Sequence, residues 1–150
     1  MNTIFESKLR EELKSRVAQL DESKQAAWGK MNVFQMVLHN TYWNGWMLGT
    51  DPHTYRQEWL GKIFGKFALN SMIKNDKPLD KNIPTSEQFK VEESTCDLET
   101  EKTKWIGLID AYQSFDNPNF VHDFFGKMSK DQIGILVYKH TDHHLRQFGV

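Results

Sequence analysis

Tyr138-Lys139-His140-Thr141-Asp142-His143-His144-Leu145-Arg146-Gln147-Phe148 reads as the last helix of the sequence and places three of its six histidines within five positions. An α-helix turns once in about 3.6 residues, so His140 and His144 share one face, a turn apart. Two imidazoles so placed can share one metal ion. His140 with His143 is the sterically allowed alternative. Asp142 and His143 flank the seam, which puts His143 at a pocket edge or a subunit contact. A catalytic metal site takes three protein ligands and leaves a position open for water or substrate. In a helical bundle the third ligand comes from a facing helix.

The stretch Met31 to Thr50 contains no Asp, Glu, Lys or Arg, yet Asn32, Gln35, Asn40 and Asn44 make it too polar to span a membrane. It reads as a helix enclosed by its neighbours. Asn32 followed by Gln35 is a capping-box pattern and starts that helix, over residues 32–48. His39 lies mid-helix among Met36, Tyr42 and Trp43. A buried imidazole needs a compensating partner. Taken alone, His39 fits a core histidine bonded to a carbonyl. Beside His140 and His144 it becomes the leading third ligand. Gln35 and Tyr42 lie within a turn of His39 and are candidate supports for it, with plain bundle packing as the competing reading. Arg146 is a candidate orienting group. His122 precedes the last helix and can face the same mouth, whereas His53, after Pro52, reads as a solvated loop histidine.

The remaining pattern is helical as well. Phe5, Leu9, Leu13, Val17 and Leu20 predict a helix over 3–20, and residues 21–29 connect it to the next. Asp51-Pro52 marks a turn. A third helix is expected over 56–73, where Gly61 and Gly65 weaken the helix and allow close packing against another one. Residues 74–95, with Pro78 and Pro84, form a loop longer than most compact domains use, either a lid or a surface crossover. Further helices are expected over 97–115 and 130–147, the latter opened by a Ser129/Gln132 capping box, with 120–128 irregular. No strand alternation and no internal repeat is visible. Helices near eighteen residues are about 27 Å long and match one four-helix bundle. The expectation is an all-α fold forming one domain over residues 1–150.

Composition narrows the function. Lys and Arg number 19 against 20 for Asp and Glu, with no basic stripe, so nucleic acid is not an expected partner. The first eight residues have no apolar run of the signal-peptide kind, and no segment predicts a membrane span. Cys96 is the sole cysteine, which rules out an intrachain disulfide and fits a reducing cytoplasm. The Glu-x-x-His of di-iron bundles, the His-Glu-x-x-His of zinc proteases, Gly-x-Ser-x-Gly and the P-loop are all missing.

Several stretches together carry a resemblance. They are Trp28-Gly29-Lys30-Met31-Asn32 leading to Gln35-Met36 and His39, then Pro78-Leu79-Asp80-Lys81-Asn82-Ile83-Pro84-Thr85, then Phe125-Gly126-Lys127-Met128-Ser129, and the tail from Tyr138 to Gly149. In this order, and over nearly the whole chain, the sequence resembles the DinB-like superfamily of metal-binding four-helix bundles. Within it, the chain is similar to a branch catalogued as a domain of unknown function. The resemblance implies an up-and-down bundle with an unusual crossover between the second and third core helices. It implies a ligand set of His39, His140 and His144. Relatives include thiol S-transferases that use bacillithiol or mycothiol and a thiol-dependent maleylpyruvate isomerase, and many are homodimers. One departure is His122-Asp123, where the branch has His-Pro; losing the proline is expected to loosen that loop.

The functional expectation is a metal-dependent enzyme. A divalent ion, Zn²⁺ or Ni²⁺, suits an imidazole set. Its open positions would take water or a low-molecular-weight thiol and make it nucleophilic at neutral pH. The expected reaction is thiol S-transfer to, or hydrolysis of, a small electrophile held under the long loop. The alternative is a non-catalytic bundle that binds a small molecule or serves a structural role, with the metal vestigial or absent.

Overall fold

The computed structural model describes residues 1–50 and 55–150. The expected turn at Asp51-Pro52 and the solvated His53 lie outside the described residues. Among these residues five α-helices follow in order: α1 (Ser7–Ala18), α2 (Val33–Leu48), α3 (Trp59–Ile73), α4 (Leu98–Ala111) and α5 (Lys130–Gln147). Among the described residues there is no strand, and the fold is an all-α bundle. None of these helices is long and apolar enough to cross a membrane.

Both expected capping boxes form. Asn32 Oδ1 accepts the Gln35 N–H at 2.8 Å while Gln35 Oε1 accepts the Asn32 N–H at 3.1 Å. Ser129 Oγ and Gln132 repeat the exchange at the start of α5. These reciprocal bonds satisfy helix N-terminal N–H groups that have no partner within the helix. They fix where the two histidine-bearing helices begin.

α1 begins at Ser7 rather than residue 3. The residues before it are used as a strap: the Ile4 N–H bonds the Gly134 carbonyl at 3.0 Å, and Arg10 donates to the Ile4 and Phe5 carbonyls at 3.0 and 2.8 Å. Gly134 leaves room for this strap, since a Cβ there would lie 2.3 Å from Thr3 Oγ1. α3 likewise starts three residues later than expected. The Glu58 N–H goes to the Asp123 carbonyl at 2.7 Å, and Gln57 donates to Phe124 O at 3.0 Å.

α1 and α2 each pack against both α4 and α5, so those four helices close a ring with α3 added outside against α5. The interior holds Leu13, Val17, Met36, Trp46, Trp105 and Leu145, all essentially excluded from solvent. Each contributes about 1.5–3 kcal/mol through burial of its apolar side chain. α3 is tied to the bundle in two ways. Lys139 reaches from α5 to the Met72 and Asn75 carbonyls at 2.6 and 2.8 Å, closing its C-terminal end. Gly61 and Gly65 press against the backbone of Phe124, where added Cβ atoms would lie 2.3 and 2.1 Å from the carbonyl oxygen. The close approach is therefore to the 120–128 loop and not to another helix.

The long segment after α3 is pinned to α2. Gln35 Nε2 donates to Val91 O at 3.3 Å and Asn32 Nδ2 to Ser94 O at 2.9 Å. Between its prolines and these bonds, a single 3₁₀ turn, Glu87–Phe89, buries the Phe89 ring in the core. That turn brings a backbone carbonyl to the middle of α2.

Candidate metal centre

His39 on α2 faces His140 and His144 on α5, and their ligand nitrogens lie within 4.8 Å of one another. The His39 and His140 Nε2 atoms are 3.3 Å apart. His39 and His144 are buried, while His140 keeps some exposure. The His140 ring stacks on Trp43, with centroids 4.0 Å apart and planes inclined by 17°.

Hydrogen bonds decide which nitrogen each ring presents. His39 Nδ1 lies 3.0 Å from the Phe89 carbonyl, an acceptor only, so Nδ1 carries the proton and Nε2 a bare lone pair. His144 Nδ1 lies 2.9 Å from Gln147 Oε1. The same amide donates through Nε2 to the Trp28 carbonyl at 2.7 Å, which holds its oxygen toward the imidazole. His144 therefore also presents a bare Nε2. Among the described residues the buried His140 Nδ1 has no hydrogen-bond partner. With its proton on Nδ1, its Nε2 adds a third lone pair to those of His39 and His144. With its proton on Nε2, it can serve one neighbour and leaves its own Nδ1 unanswered.

A divalent cation would accept all three lone pairs at once. Imidazole nitrogens about 2.0–2.1 Å from a tetrahedral zinc stand about 3.3–3.4 Å from each other, and the His39–His140 separation of 3.3 Å has that value. The Phe89 carbonyl and the Gln147 amide are the outer partners that fix ring orientation in metal sites. Protonation is disfavoured as well. Burial pushes all three imidazoles below their ordinary pKa, most strongly His140 and His144, and the neighbouring histidines push those two further. Neutral rings are the form that binds metal.

The cluster opens into a cavity of about 430 Å³, within the usual range for small-molecule sites. Its walls are largely apolar. Met72 comes from α3, Leu79 and Phe89 from the long crossover segment, and Phe125 from the 120–128 loop.

The other sequence candidates separate. His122 lines the cavity, and its Nδ1 lies 2.7 Å from Asp123 Oδ1 and 3.1 and 3.3 Å from the Phe124 and Phe125 backbone nitrogens. The expected loosening at His122-Asp123 is not found. The His122 and Gly126 backbones exchange two hydrogen bonds at 3.0 and 2.9 Å. The Asp123 carboxylate is buried and accepts from Phe124 N–H at 2.7 Å and Gln88 Nε2 at 2.9 Å. Burial alone would raise its pKa, but contacts with His122, Ser86 and the Phe124 N–H outweigh that and lower it to about 2. Asp123 thus ties down the loop in place of a proline. His143 stands between two cavities: it lines the main one and a second of about 470 Å³ containing Trp28, Lys81 and Arg146. Arg146 bonds Asp142 at 3.1 Å and does not line the main cavity. Gln35 is occupied by the α2 cap and Val91. Tyr42 is exposed; burial of part of its phenol, then Glu93 and Glu101, raise its pKa, and it too lies outside the cavity lining.

Phe89 and Gln147 were not anticipated, and Trp43 was expected only as a neighbour of His39 in its helix. Trp43 is four residues from His39, and Gln147 three from His144, so helical spacing carried a signal for both. Phe89 acts through its main chain from an irregular segment, and no side-chain pattern marks it.

No curated protein and no solved structure matches the chain. A family model does match, over residues 6–149, a span that includes all three clustered histidines and both of their outer partners. The chain belongs to the family described as "Protein of unknown function (DUF1569)".

Proposed function

We propose that this protein is a metal-dependent enzyme that transfers a low-molecular-weight thiol to a small electrophile, or hydrolyses it, with His39, His140 and His144 holding one Zn²⁺ or Ni²⁺ ion. The observation that carries the reading is the pair of locked rings. The Phe89 carbonyl and the Gln147 amide turn His39 and His144 so that bare nitrogens meet His140 at the base of an apolar cavity. When bound, such an ion supplies Lewis acidity and lowers the proton affinity of a water or thiol at its open positions.

The chain's own residues supply the rest. Trp43 holds the His140 ring flat against α2. Met72, Leu79 and Phe125 make the cavity apolar, which strengthens polar interactions inside it. His122 lines the same cavity, with its Nδ1 2.7 Å from the Asp123 carboxylate that anchors the ring, and stands ready to contact a bound electrophile. The DinB-like resemblance supports both the ligand set and the thiol chemistry, and a cytoplasmic setting, rich in small thiols, belongs to the same proposal.

The test begins with elemental analysis of protein purified without a histidine tag. A screen of the loaded protein follows, using low-molecular-weight thiols with electrophilic substrates. The reading expects one ion per chain, turnover with a thiol or water, and loss of the ion in His39→Ala. Full metal occupancy in His39→Ala would eliminate the triad. A wild-type chain that binds neither ion would favour the non-catalytic bundle.

A further inference from the structure

The outward side of α3 is apolar and, among the described residues, uncovered. Trp59 is 71% exposed, Leu60 53%, Ile63 55%, Phe64 55% and Phe67 79%. Helical spacing gathers them into one stripe of roughly 500 Å², at the upper end for the largest apolar patch of a soluble monomer. The fold holds the stripe outward. On the inner side Gly61 and Gly65 meet the Phe124 backbone with no room for a Cβ, and Leu69 and Ile73 are buried.

The surroundings of the stripe are basic, although the whole chain has a net charge of −1. Residues 55–77 carry Arg56, Lys62, Lys66, Lys74 and Lys77, all exposed, against Glu58 and Asp76. α3 itself has no acidic residue in its sequence. Asp76 already accepts the Asn2 N–H at 2.9 Å. Lys62 and Lys66 stand a turn apart along one edge of the stripe. Lys66 donates to the Lys127 carbonyl, which brings Lys127, also exposed, to that edge.

We propose that α3 docks the protein onto a lipid surface containing anionic phospholipid, with the stripe among the acyl chains and Lys62, Lys66 and Lys127 at the headgroup phosphates. A helix with bulky apolar residues on one side and cations on its flank lies in the plane of a bilayer surface, its apolar side about 5–10 Å deep. The lysine stems run along the apolar surface while their ammonium groups reach the headgroups. From Trp59 to Phe67 the stripe is about 12 Å long, too short to span a bilayer. Docking of this kind therefore agrees with a sequence that predicts no membrane span. A second copy of the stripe would answer the charges poorly. An antiparallel two-fold pairing sets the same edge of both helices on one side, so the lysine row would stand against its own copy. The same helix supplies Ala68 and Met72 to the wall of the main cavity, so docking would bring that cavity to the bilayer. None of this depends on the metal.

Cosedimentation of the untagged full chain with vesicles tests it. One set is phosphatidylcholine alone and the other is equal parts phosphatidylcholine and phosphatidylglycerol. The expected result is binding to the anionic set, weakened by added salt, with affinity for the neutral set at least about tenfold lower. Phe67→Glu should abolish binding, and Lys62→Glu with Lys66→Glu should weaken it about tenfold or more, each with circular dichroism matching wild type. A second measurement does not rely on loss of binding. In a Cys96→Ser background, a polarity-sensitive fluorophore on Phe67→Cys should shift to the blue with anionic vesicles, whereas one on Lys8→Cys, exposed on α1, should not. A wild type that leaves both vesicle sets in the supernatant would overturn the proposal, as would binding unchanged by Phe67→Glu. Equal binding to both sets would overturn the role of the lysines. A chain that ignores vesicles and sediments as a dimer broken by Phe67→Glu would reassign the stripe to a second copy.

Discussion

Replacing Gln147 with Leu separates the support of the metal centre from its ligands. The wild-type amide makes two bonds at once, accepting from His144 Nδ1 at 2.9 Å and donating to the Trp28 carbonyl at 2.7 Å. Leucine keeps most of the volume and makes neither. His144 then loses the acceptor that holds its proton on Nδ1, and the ring can rotate or change tautomer. Losing an outer partner of a ligand histidine weakens metal affinity about 10–100-fold, equal to about 1.4–2.8 kcal/mol. Trp28 O and His144 Nδ1 are also left unanswered in a buried place, at a cost of about 1–3 kcal/mol to the fold. For a chain of this size that lowers the melting temperature by about 2–4 °C per kcal/mol. Zinc competition against a chromophoric chelator reads the first effect, and thermal melting of the metal-free protein reads the second. A Gln147→Leu protein that melts lower but binds zinc as tightly as wild type would refute the reasoning, because the amide would then serve the fold without orienting the ligand.

Four further outcomes follow from the same structure. The metal-free protein should lose stability below neutral pH. Folded His39, His140, His143 and His144 have lowered pKa values, so below about 6.5 the unfolded chain binds more protons than the folded one. Stability is thus fully present above that pH and falls by up to about 1.4 kcal/mol per pH unit for each such histidine, which urea midpoints between pH 7.5 and 5.5 would show. Gly65→Ala forces a Cβ against the Phe124 carbonyl 2.1 Å away and should cost about 1–3 kcal/mol or more by urea titration, with α3 displaced from the 120–128 loop. Gly29→Ala, at a φ of +82° and 2.7 Å from Gln147 Nε2, should reproduce part of the Gln147→Leu loss in zinc affinity. Tyr42→Phe and Arg146→Ala should leave zinc affinity within about a factor of two, since neither residue lines the main cavity; a tenfold loss in either would return that residue to the site.

The helices that carry the cluster were readable because their signals are local. Asn32 with Gln35 and Ser129 with Gln132 mark helix starts through bonds spanning three residues. His140 and His144 share a face by helical period alone. Joining His39 to them rested on its place in an uncharged helix, an argument about burial that needs no distance. What escaped was long-range or carried by the main chain. Ile4 is held by Gly134 and Phe89 reaches His39 through its carbonyl; neither contact leaves a pattern in the sequence. The 120–128 loop was expected to loosen because a proline was missing. Asp123 holds it through side-chain bonds to Gln88 and Phe124, and an aspartate by itself does not announce such partners. α3 was seen as a helix, but which of its apolar sides would face inward depended on Gly61 and Gly65 meeting a loop.

The central claim is that three imidazoles, and no other side chains, hold one divalent ion. X-ray absorption at the zinc edge of the untagged, zinc-loaded protein addresses it directly. The expected result is one ion per chain with three imidazole nitrogens at about 2.0–2.1 Å in wild type, and loss of the zinc from His39→Ala. A first shell containing sulfur, a shell of oxygens alone, or a His39→Ala spectrum identical to wild type would contradict it.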